Sequence, residues 1–140
     1  MDKEPRYPNN TGQDIYDTAR ELQVKKMKGE TVTLSTETAV SIRQSLQTAR
    51  SGVSQMGLEP GYERARWLMI ATTLLSEEVS VTEEDIAAIQ EAAAVYIAKR
   101  NFYQLASLIQ TAEVVGISIN LDSISESDQK EIDENLTKMQ

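Results

Sequence analysis

The residues best equipped for recognition in this chain stand together at Tyr62-Glu63-Arg64-Ala65-Arg66-Trp67, where two arginines lie between two aromatics. Mixtures of guanidinium and aromatic rings are enriched at protein-binding hot spots and on platforms that stack single-stranded bases. Tyr62, Arg64, Arg66 and Trp67, with Tyr103 further along, are therefore the expected partner contacts. The plainer expectation for the same segment is a Trp67 core anchor with the two arginines solvated around it.

A second set of groups is acidic. Glu77, Glu78, Glu83, Glu84 and Asp85, joined by Glu126 and Asp128, form a candidate acidic surface for a basic partner. Paired carboxylates can hold a divalent cation or work as acid and base, but only where an apolar pocket sets their pKa values apart. No such pocket is legible here, and solvated helix boundaries explain the same residues. A third set, Lys25, Lys26, Lys28, Arg43 and Arg50, is a candidate basic surface. The lysines also suit the last turn of a helix, where cations oppose the negative end of the dipole.

Chemistry beyond binding finds little support. The 140 residues include no histidine and no cysteine, which removes the usual neutral-pH general base, the commonest metal ligand, the thiolate nucleophile and every disulfide. The six glycines are scattered rather than clustered into a phosphate loop. Residues 122–133 fail as a calcium loop, since Ile124 and Ser127 occupy positions that need an oxygen ligand and a glycine. Ser127 and Lys130 match S-x-x-K without a supporting motif. The expectation is a non-enzymatic protein with no catalytic residues, no metal, no cofactor and no small-molecule substrate.

These groups must be carried by helices. Hydrophobic residues make up 40% of the chain with only seven aromatics, a composition suited to Leu, Ile, Val and Ala cores of packed helices. Spacings of three and four predict a helix over 12–28 (Ile15, Ala19, Leu22) and another from Ser35 to about Gln55 (Ala39, Ile42, Leu46, Ala49). Further helices are expected at about 61–76, 83–99 and 126–138, and along the stripe from Phe102 to Val115. Thr11 with Asp14, Thr82 with Asp85 and Ser125 with Asp128 are spaced for capping boxes. A hairpin turn is placed near Asn101, which tolerates the left-handed conformation, with one kinked helix over 83–115 as the competing expectation. Val32 and Leu34 alternate with threonines, and Ile117, Ile119 and Leu121 with polar residues, so the two segments suggest a minor two-stranded patch. The fold class is all-α, a bundle of about five or six helices.

Residues 1–10, with two of the three prolines, are expected to form an extended arm before a single helical domain over 11–140. Met56 to Gly61, where Pro60 lies between two glycines, marks a sub-boundary. No secretory signal and no membrane-spanning run is visible, which suggests a cytoplasmic or intraviral protein. The net charge of −8 is uneven: residues 1–66 carry ten Lys/Arg against nine Asp/Glu, and residues 67–140 carry four against thirteen. Nucleic-acid binding by the whole chain is disfavoured on that ground. The leading expectation is a structural or adaptor protein working through helix-mediated contacts with a protein partner or with itself. The alternatives are an acidic inhibitor that imitates nucleic acid, and nucleic-acid binding by the basic N-terminal half.

Overall fold

A computed structural model describes residues 8–139, which form six α-helices and no strand: α1 Pro8–Met27, α2 Thr36–Arg50, α3 Pro60–Leu74, α4 Glu83–Ala98, α5 Phe102–Val114 and α6 Glu126–Met139. The expected all-α bundle is present. The arm is outside the described residues except for 8–10, which belong to α1. That helix starts before Thr11, so Thr11 does not cap it.

Local sequence explains most of the boundaries. Ser35 accepts a hydrogen bond from the Thr38 N–H at 3.0 Å and starts α2. Pro60 opens α3 at a position where its missing N–H costs nothing. Thr82 and Asp85 make the reciprocal capping box of α4. α2 ends at Arg50, earlier than its apolar stripe suggests, because Gly52 takes a left-handed φ of 84° and lets the Val53 N–H close onto the Thr48 carbonyl. The α4–α5 connection is a tight turn rather than a kink, and Arg100, not Asn101, holds its left-handed position at φ 57°. Asn101 instead caps α5 through the Gln104 N–H.

The two-stranded patch is absent among the described residues. The period-two segment after α5 finds its polar partner in a side chain of α4: Gln90 donates to the Ser118 carbonyl at 2.8 Å and accepts from the Asn120 N–H at 3.1 Å. One glutamine satisfies both groups that a neighbouring strand would have satisfied.

α3 lies at the centre and packs against α1, α2, α4 and α5. Its surroundings explain why it is apolar almost all round from Trp67 to Leu75, where a surface helix would show one stripe. Trp67, Leu68, Ile70 and Ala71 are fully buried. Each large side chain of this kind contributes about 2 kcal/mol by burial. Gly61 brings α3 onto α4, and a Cβ there would collide with the Ala88 carbonyl and sit 2.8 Å from the Ala92 Cβ. α1 runs parallel to α3, as Tyr16 meets Trp67 edge-on with centroids 5.6 Å apart and Lys26 reaches the Thr73 carbonyl. α6 packs on α5 through Ile132. No helix of the described residues is long and apolar enough to cross a membrane.

Candidate functional site

Arg64 and Arg66 are two positions apart on α3, which places them about 200° apart around the helix. They meet opposite flanks of the bundle. Arg64 turns towards α4 and meets the fully buried Asp85, with Nε 2.6 Å from Oδ1. Arg50 from α2 binds the same carboxylate through two nitrogens at 2.7 and 3.1 Å and also reaches the Ser80 carbonyl. The Thr82 N–H adds a further donor at 2.9 Å. Burial alone would raise the Asp85 pKa, but the two guanidinium groups and the capping N–H outweigh it and hold the carboxyl at about 2. This cluster ties α2, α3 and α4 together and has no spare cation face.

Glu63, the neighbour of Arg64, is also fully buried. Its carboxylate accepts from the N–H groups of Gln55, Met56 and Leu58 at 2.6, 2.9 and 2.9 Å, and from the Ser54 hydroxyl at 2.6 Å. A loop that turns consecutive N–H groups inward is an anion nest. Here the nest is filled from within the chain and fixes the connection between α2 and α3.

Arg66 faces the other way, into a cleft of about 430 Å³ between α1, α3 and α5. Its guanidinium carbon lies 4.6 Å from the ring centroid of Tyr16 and 4.9 Å from that of Tyr62. One of its nitrogens is 3.7 Å from the Met56 sulfur. Arg20 lines the same cleft from α1 and donates to Gln23. Ser107, Gln110 and Thr111 supply hydroxyl and amide groups from α5, and the Ser107 hydroxyl is hydrogen-bonded to that of Tyr62. Burial raises the pKa of Tyr16, while the charges of Arg66 and then Arg20 oppose that rise, so both cations bear on one phenol.

Among the described residues, Arg43, Arg50, Arg64 and Arg100 are each ion-paired with a carboxylate, whereas Arg20 and Arg66 are not. No carboxylate among the described residues lines their cleft. The groove between α1 and α2, by contrast, carries Asp14 and Glu37, and the cleft beside Gly61 carries Glu59 and Glu91. In a chain with 22 acidic residues, a cleft that holds two guanidinium groups and no carboxylate among the described residues is the arrangement most suited to binding.

The residues singled out from sequence scatter across the molecule. Tyr62 and Trp67 are buried, Tyr62 meeting Tyr96 edge-on, and burial pushes the Tyr96 hydroxyl up to about 12. Tyr103 is 62% exposed on α5. Spacings of four, seven and eleven put the half-buried Ser107 and Gln110 and the exposed Val114 on its side of the helix, so this side of α5 continues into the cleft. Glu77, Glu83, Glu84 and Glu126 are exposed, Glu78 pairs with Arg43 at 2.8 Å, and Asp128 pairs with Arg100 at 3.0 Å. Lys25 and Lys28 are exposed at the end of α1, Lys26 binds the Thr73 carbonyl, and Arg43 and Arg50 are held by carboxylates. Sequence reasoning missed Tyr16, Arg20 and Glu63. A signal for the first two is a repeated Tyr-x-x-x-Arg spacing, at 16/20 and 62/66, on two helices that lie side by side. A third copy at 96/100 runs past the end of α4, where Arg100 leaves to pair with Asp128.

No protein-family model matches the chain, and no curated protein or solved structure is significantly similar to it.

Proposed function

We propose that this protein is a non-enzymatic interaction module that captures an acidic segment of a partner protein in the cleft between α1, α3 and α5. The observation that carries this reading is the pair of guanidinium groups, Arg20 and Arg66, left without carboxylates in a chain that pairs the other described arginines. Arg66 is held over two tyrosine rings, so little side-chain freedom is lost when it binds. Tyr103 and Val114, exposed about 17 Å apart on this side of α5 (three turns of helix), add apolar contact beside the charge. Tyrosine and arginine are the side chains that most often carry interface energy.

A glutamate- and leucine-rich helical peptide of about four turns serves as the probe. Its binding to the full chain, followed by calorimetry, should weaken with salt and fall at least about tenfold in Arg20→Gln or Arg66→Gln, as for a charge-assisted contact. The same loss should not follow from Lys25→Gln or Lys28→Gln. Binding that survives both arginine changes would overturn the proposal. If only the lysine changes mattered, the basic end of α1 would be the contact instead.

A further inference from the structure

Resting on that reading, we infer that the acidic anchor this cleft is built for is a phosphorylated serine or threonine side chain of the partner, rather than a glutamate or aspartate. The cleft is lined by two positive charges and, among the described residues, by no carboxylate; both cations act on the Tyr16 hydroxyl more strongly than the neighbouring Asp17 does. A carboxylate brings one negative charge, so two guanidinium groups sharing it keep one positive charge uncompensated. A phosphate monoester carries close to two charges at pH 7 and three terminal oxygens, which matches two guanidinium groups in both respects. Among the described contacts, Arg20 uses one donor on Gln23 and Arg66 one on the Met56 sulfur, so most of the five N–H groups on each remain for a ligand. Gln110 lines the same cleft and offers an amide, and Ser107 a hydroxyl. Asp85 shows the complementary case, in which two arginines share one carboxylate that is fully buried and also held by a capping N–H.

The missing histidines make the test clean. No side chain of this protein has an ordinary pKa between 5 and 8, whereas a phosphate monoester gains its second proton near pH 6. The probes are N-acetyl-phosphoserine amide and N-acetyl-glutamate amide, titrated into the full-length chain by calorimetry. At pH 7.5 the phosphoserine compound should bind at least about tenfold more tightly. At pH 5 its affinity should fall about tenfold as the dianion is lost, while the glutamate compound changes less than about twofold. Arg20→Gln and Arg66→Gln should each remove the preference, with circular dichroism confirming that the variants are folded. Equal affinities, or a phosphoserine affinity that does not change with pH, would overturn the phosphate assignment and leave the acidic-partner reading standing. Loss of neither compound's binding in the two variants would overturn both.

Discussion

The two flanks of α3 use the same side chain to opposite ends. On the α2/α4 side, Arg64 and Arg50 converge on a fully buried aspartate that also caps a helix, and the charge is consumed in joining three elements. On the α1/α5 side, Arg66 and Arg20 converge on a cleft with tyrosine walls, and no carboxylate among the described residues takes up their charge. The difference comes from what faces α3 rather than from α3 itself. α4 brings an aspartate in its first turn, whereas the facing turns of α5 bring serine, glutamine and threonine. Arginine beside aromatic residues in a sequence therefore says little until the opposing helix is known.

The sharpest way to break this comparison is to open the closed flank. Asp85→Ala would strand two cations and remove a cap, and should cost about 3–5 kcal/mol, towards the lower end because Arg50 keeps some solvent contact. Urea unfolding measures this, and a loss below about 1 kcal/mol would show that the cluster is not structural. Acid reports on the same group more gently. The folded pKa of about 2 lies below the ordinary aspartate value of 3.8, so the carboxylate contributes about 2 kcal/mol that is fully present above about pH 5 and is lost as pH falls through 2. Asp85→Asn should flatten that part of the stability–pH curve between pH 5 and 2, as followed by thermal melts.

On the open flank the expected stability effects are smaller. Arg66→Gln removes two cation–π contacts but no ion pair, and should cost about 1 kcal/mol in the same urea experiment while weakening the glutamate–leucine peptide at least about tenfold. Tyr103→Ala, exposed on the cleft side of α5, should change stability by less than about 0.5 kcal/mol and weaken the peptide several-fold. A large loss of stability with unchanged binding in either variant would reverse the roles assigned to the flanks.

The helices themselves were largely legible in the sequence, because their signals are local. The Thr82–Asp85 box, the Ser35 cap and Pro60 at the head of α3 all operate within one turn. The strand expectation failed because alternation over 117–121 records which side chains face inward and does not reveal that Gln90 supplies the hydrogen bonds. The site was only partly legible. Arg66 stood out beside Trp67, but Arg20 and Tyr16 are 46 residues from their counterparts and meet them only because α1 runs parallel to α3. Asp85 looked like one more surface acid in Glu83-Glu84-Asp85, and only the convergence of Arg50 and Arg64 makes it internal. Glu63, set between Tyr62 and Arg64 in the chain, gives no sign in the sequence that its carboxylate turns back into the loop that precedes α3.

The most direct test is an arginine side-chain NMR titration of the intact protein, following each Nε–Hε signal as the glutamate–leucine peptide is added. The signals of Arg20 and Arg66 should move together and saturate, while those of Arg50 and Arg64 stay in place. Stationary Arg20 and Arg66 signals in the presence of bound peptide, or shifts centred on Arg50 and Arg64, would contradict the division of α3 into a structural flank and a binding flank.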